Sequence, residues 1–135
     1  MNSFLCYGAA MAAKKAEQAL VDQWRDILAL HARTQCELDR ALHRHGLCAS
    51  DFEVLDVLSG ESCTYRVQEI AERVHLSQSA LSRLIARLEK DGLVDRAMCP
   101  EDRRGVRVAL TEKGRALYGE VLPVQRAVLT KMLAG

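Results

Sequence analysis

A chain of 135 residues, 49% apolar and 27% charged, has enough material for one domain with a real core and not for two. Two prolines and few aromatics (one Trp, three Tyr, two Phe) argue against a strand-rich fold, so helices should dominate. A net charge of +1 excludes a uniformly basic coat, but residues 64–115 hold eleven Lys and Arg against eight Asp and Glu, while the remainder holds eight against ten.

Residues 1–8 show no periodicity, and 1–18 read as an N-terminal extension. Their order, apolar first and basic second, is the reverse of a secretory signal. No apolar run approaches the length of a membrane span, so the expected setting is cytoplasmic, away from membranes. From about residue 9 to 45 the pattern is helical: Leu20, Trp24, Ile27, Leu28, His31, Leu38 and Leu42 keep largely to one face, and Gly46 ends the run. So long a stripe exceeds what a small domain can cover by itself and marks a partner surface. Residues 19–46 are therefore read as a dimerisation helix, half of a homodimer interface. Ser50 is the expected cap of a short helix whose apolar positions are Phe52, Val54, Leu55 and Leu58. A loop follows at 60–62. Residues 67–74 form another short helix with Val67, Ile70, Ala71 and Val74 inward, and 75–77 make a tight turn.

The next stretch carries the chemistry. Leu81, Leu84, Ile85 and Leu88 fall at i, i+3, i+4 and i+7, the apolar stripe of an amphipathic helix. The opposite face presents Gln78, Ser79, Ser82, Arg83 and Arg87, with no acidic side chain before Glu89. Ser77 stands at the N-cap and Gly92 at the C-terminal stop. Two helices joined by so short a turn make a helix-turn-helix. Two β-prone runs come next, 93–98 and 106–110, separated by Pro100-Glu101-Asp102-Arg103-Arg104-Gly105. A helix faced with hydroxyls, amide and guanidinium, then a hairpin with arginines at its tip, suits double-stranded DNA. The helix fits a major groove, and the tip fits a minor groove or phosphates. The plainer alternatives are a solvated face for Arg83 and Arg87, a turn-former for Asp102 and a simple cap for Ser77. Thr111 caps a last helix with Leu117, Val121, Val124, Val128 and Met132 on one side, interrupted or kinked at Pro123.

The order of these elements, with the run from Asp102 through Leu110-Thr111 to Gly114, resembles the MarR family of bacterial winged-helix transcriptional regulators, whose wing carries D-x-R followed by L-T-x-x-G. His45-Gly46-Leu47, Glu69-Ile70-Ala71 and Leu88 to Arg96 agree, and the resemblance covers about 24–132. It implies a mainly α fold with a small β-hairpin wing. That fold is a winged helix-turn-helix (47–111) between N-terminal (19–46) and C-terminal (112–135) dimerisation helices. It also implies a homodimer on a pseudo-palindromic operator, most simply a repressor released by a small aromatic or phenolic effector. Ser77, Gln78, Ser79, Ser82 and Arg83 would face the major groove. Arg104 would enter the minor groove with Asp102 orienting it, and Arg103 would lie close to phosphate.

Other chemistries find less support. Cys6, Cys36, Cys48, Cys63 and Cys99 lack CxxC spacing, so a redox-sensing regulator is the second reading. His31, Cys36, His43, His45 and Cys48 match no compact zinc motif, so no metal or cofactor is expected. There is no Gly-rich phosphate loop, HExxH or G-x-S-x-G, hence no catalytic residue and no enzyme. A winged helix that binds only protein would more often be acidic or apolar where this chain has Arg83, Arg87 and Arg104.

Overall fold

Helix-forming stretches account for most of the chain, and the computed structural model describes the backbone of residues 3–60, 64–99 and 102–135. Side chains are described for 7–60, 64–97 and 106–135. In order, the elements are α1 (Ser3–His43), α2 (Ala49–Leu58), β1 (Thr64–Arg66), α3 (Val67–Val74), α4 (Gln78–Lys90), β2 (Val94–Cys99), β3 (Asp102–Leu110) and α5 (Glu112–Leu133). The mainly helical architecture with a small antiparallel sheet is the expected winged helix-turn-helix. Two compact units emerge, Met1–Cys36 and Glu37–Gly135.

From Ser3 onward the first unit is one unbroken helix, through its alanines. Ala9, Ala10, Ala12 and Ala13 are the best helix formers and carry α1 back to Ser3. Its large apolar side chains lie open: Leu20, Val21, Trp24, Ile27, Leu28 and Leu30 are all exposed.

The second unit holds the core. Phe52, Leu55, Leu58, Ile70, Leu81, Ile85, Leu88, Val94, Val108 and Val121 are sealed from solvent together with Leu42. Burying each such side chain is worth about 1.5–3 kcal/mol before entropy is counted. The apolar stripe of α4 supplies Leu81, Leu84, Ile85 and Leu88 to this core, so its opposite face is forced outward. Ala71 packs against the same core, leaving α4 room to cross α3. The turn between them closes on His75 at φ 57°, a left-handed cap that His adopts more readily than β-branched residues.

Three details depart from the sequence reading. Ser50 does not cap α2; the helix starts at Ala49 with Cys48 as N-cap. Two carboxylates take its free amides instead: Cys48 N–H donates to Asp51 Oδ2 at 2.9 Å and Ala49 N–H to Asp39 Oδ1 at 2.8 Å. Second, the sheet has three strands, not two, in the order β1-β3-β2. The unforeseen β1 pairs antiparallel with β3, Tyr65 opposite Val108. Strand β3 also begins at Asp102, so most of the segment read as a hairpin loop is strand, with a register shift at Met98/Cys99. Third, α5 is not interrupted at Pro123, which sits inside the helix.

The junction of α4, β2 and α5 is stitched by polar contacts. Gly92, at φ +78°, lets Leu93 N–H reach Leu88 O at 2.9 Å and Gly92 N–H reach Glu89 O at 3.0 Å, the paired bonds of a left-handed C-cap. Thr111 Oγ1 donates to Gly92 O at 2.6 Å and accepts from Gly114 N–H at 3.0 Å, while Thr111 N–H reaches Leu93 O at 3.1 Å. Lys113 Nζ donates to Asp91 O at 2.9 Å. The end of the wing is thereby tied to the end of α4.

Candidate nucleic-acid interface

The buried stripe of α4 dictates which residues face out. Ser77, Gln78, Ser79, Ser82, Arg83 and Arg87 are all exposed, along one side of the helix. Ser77 caps it by accepting from Ala80 N–H at 3.2 Å, and its hydroxyl lies 3.4 Å from that of Ser79. With no acidic residue in the first turn, the positive end of the helix dipole stays uncompensated by its own side chains. Arg83 Nε–H reaches the Ser79 carbonyl of its own helix at 3.4 Å, a long contact that leaves the guanidinium free to extend.

Arg87 is held differently. It forms a two-pronged ion pair with Asp51, Nη1 to Oδ2 at 3.1 Å and Nη2 to Oδ1. Asp51 is buried. The hydrogen bond to Asp51 is the main cause that raises the Arg87 pKa further. Arg83, Arg87, Ser50, Leu76, Ala80 and Leu84 line an open cleft of about 580 Å³ between the start of α2 and the outer side of α4. Spacing alone does not reveal Asp51 as the buried anchor of Arg87. The only local signal is its place three residues after Cys48, where an acid can close a helix start.

In the wing, the backbones of Asp102, Arg103 and Arg104 belong to β3, and their side chains lie outside the described residues. Two other basic side chains, near α3 and β2, are engaged: Arg73 lies 5.0 Å over the Tyr65 ring, and Arg96 pairs with Glu89 at 3.5 Å. Beneath the interface, α2 meets α5 through Phe52 stacked on Tyr118, 5.6 Å between ring centroids, and through Tyr118 OH donating to Asp56 Oδ1 at 2.5 Å. Burial first, then the bond to Asp56, pushes the Tyr118 phenol up. Glu53 is raised by burial and by its neighbour Asp56.

Of the cysteines, the side chains of Cys6, Cys63 and Cys99 lie outside the described residues, Cys36 is exposed and Cys48 half-buried. Burial pushes the Cys48 thiol up, which keeps it protonated and poorly nucleophilic at neutral pH. Among the described residues no three His, Cys, Asp or Glu gather as metal ligands. No helix among them is long and apolar enough to cross a membrane.

Residues 47–106 match the profile of the MarR family. The HTH-type transcriptional repressor MdtR of Bacillus subtilis (strain 168) is 30% identical over 121 residues, covering 90% of this chain and 77% of MdtR. AbsC, a MarR family transcriptional regulator from Streptomyces coelicolor, superposes with a TM-score of 0.77 at 32% identity, over 83% of this chain and 76% of AbsC. Sco3205, from the same organism and solved in complex with DNA, gives 0.78 at 31%, over 87% of this chain and 74% of its own.

Proposed function

Because the chain belongs to the MarR family of transcriptional regulators, we propose that it binds a pseudo-palindromic DNA operator as a homodimer, as a repressor. The observation that carries this reading is the outward face of α4, where Ser77 to Arg87 offer donors and two arginines with no acid among them. The DNA complex of Sco3205 and the repressor MdtR support it from the side of relatives. In this reading 47–111 bind DNA, 19–46 and 112–135 dimerise, and 1–18 are an N-terminal extension. Arg83 reads base edges; Arg104 reads groove width and phosphate, with Asp102 and Arg103 beside it. Release by a small aromatic or phenolic effector rests on family resemblance. An effector need change affinity through about 1–3 kcal/mol of coupling to alter occupancy 5- to 150-fold. DNA as partner implies a cytoplasmic setting.

Dimerisation follows from the open stripe on α1, where Leu20, Trp24 and Leu28 recur every four residues at 66%, 57% and 46% exposure. Sedimentation at micromolar concentration is expected to show a dimer, and Trp24→Glu with Leu28→Glu to shift it to monomer. A wild-type monomer would sink the two-half-site arrangement, which needs recognition helices roughly 34 Å apart.

The test of DNA reading is a salt titration of affinity for selected and scrambled duplexes. Arg83→Ala should cost about 1–3 kcal/mol and relax preference at one position per half-site, because a guanidinium bonds guanine O6 and N7 together. Arg104→Ala should weaken binding to both duplexes and flatten the salt slope by about one unit for each phosphate no longer neutralised. Unchanged affinity for Arg104→Ala would remove the wing from the interface. Equal affinity of the wild type for all duplexes would remove sequence-specific regulation.

A further inference from the structure

Asp51 is 1% exposed, and its bond from Cys48 N–H closes the start of α2, but stability alone does not call for its second partner, the Arg87 guanidinium. Burying a carboxylate is costly unless it is paired, and pairing it with an arginine at best offsets that cost. What the ion pair supplies, and an apolar contact cannot, is a guanidinium in a set orientation. Asp51 accepts from Cys48 N–H and from both Nη atoms of Arg87, so it ties the first turn of α2 to the third turn of α4. The partners are unequally buried: 47% of the Arg87 side chain remains exposed on the outer side of α4. Only two of the guanidinium's five N–H donors are needed for Asp51.

The same cleft therefore holds two arginines of different character, Arg83 loosely bonded to its own helix and Arg87 anchored to another. Arg87 is the tenth residue of α4, beyond the N-terminal residues that reach base edges when such a helix enters a major groove. From there the strand backbone is what an anchored side chain meets. The start of α2 does not supply this contact, since its first amides are spent on Asp51 and Asp39.

We propose that Asp51 is a positioning residue for DNA binding, which holds Arg87 as a fixed donor to one backbone phosphate in each half-site. This rests on the DNA-binding reading above. It carries a consequence that simple electrostatics reverses. Asp51→Asn removes a negative charge beside the DNA, and charge counting alone predicts tighter binding to any sequence. Positioning predicts weaker binding, because the freed arginine must be ordered again on each encounter.

The experiment uses the full chain and a duplex enriched by the wild type from a random-sequence pool. Dissociation constants are measured for the wild type, Asp51→Asn, Arg87→Lys and the double variant, at a temperature where melting curves show all of them folded. Asp51→Asn is expected to weaken binding roughly tenfold, and Arg87→Lys by a similar factor though its charge is kept. The double variant should be little worse than either, a coupling of about tenfold. A purely structural pair would lower the melting midpoint and leave affinity for the folded protein unchanged. Affinity of Asp51→Asn equal to or above that of the wild type, or independent effects in the double variant, would overturn the inference. Should Asp51→Asn fail to fold, Arg87→Lys decides: full affinity overturns the proposal, and a loss with an unchanged salt slope supports it. If the wild type enriches no duplex, the DNA-binding reading falls and this inference with it. Enrichment followed by unaltered variants defeats the inference alone.

Discussion

Gly114→Ala is expected to destabilise the protein by about 2–4 kcal/mol, while Gly119→Ala, five residues along the same helix, should stabilise it by about 0.5–1 kcal/mol. Both lie in α5, where alanine has the better intrinsic helix propensity. They differ in what the new methyl group meets. At Gly114 it would fall 2.0 Å from the carbonyl oxygen of Leu93 and 3.2 Å from a methyl of Leu110. Neither can yield cheaply: Leu93 is buried and its carbonyl already accepts the Thr111 amide. At Gly119 nothing lies within 4 Å. Urea denaturation of the two variants, with midpoints moving in opposite directions, is the measurement. Equal stability for Gly114→Ala and the wild type would mean that α5 does not pass so close to Leu93, at the entry to β2. Since the same junction ties the wing to α4, Gly114→Ala should also weaken DNA binding beyond what unfolding explains.

That junction shows what the sequence makes legible. The Leu110-Thr111-x-x-Gly114 run is short, yet its members serve three separate physical roles, as core, as cap and as point of close approach. A pattern of that kind identifies a fold because few other residues satisfy it. The stripe of α4 is legible for a different reason, its strict 3.6-residue spacing between a serine cap and a glycine stop. The exposed stripe of α1 is legible because it runs longer than the core that could cover it. By contrast β1 spans three residues, too few for any alternation to register, and its pairing with β3 depends on residues more than forty positions away. The start of α2 misleads for a chemical reason. A serine in the right place is the usual cap, but Asp51 and Asp39 bind the earlier amides of Cys48 and Ala49, and the helix starts there instead. By spacing, Arg87 is an outward arginine like Arg83, and its anchor on Asp51 is 36 residues distant, beyond the reach of helical periodicity.

Phe52→Ala is expected to be the most damaging single truncation in the second unit, costing about 3–5 kcal/mol. Its ring is 1% exposed and stacks on Tyr118 at an interplanar angle of 25°, so removing it leaves a void and also undoes an aromatic pair. The loss falls at a position where α2 is held on two sides, by Arg87 of α4 on neighbouring Asp51 and by Tyr118 of α5 on Asp56. Against a total stability of roughly 5–15 kcal/mol for a domain of this kind, that loss is a large share of the margin. Tyr118→Phe keeps the ring stack and removes only the hydroxyl that donates to Asp56, so it should cost about 1 kcal/mol. Since Phe52 and Tyr118 touch, the cost of Phe52→Ala combined with Tyr118→Ala should fall short of the two single costs added together. Denaturant titrations of the variants test the set. A Phe52→Ala cost below about 1 kcal/mol, or strict additivity with Tyr118→Ala, would show that α2 and α5 are not joined through this pair.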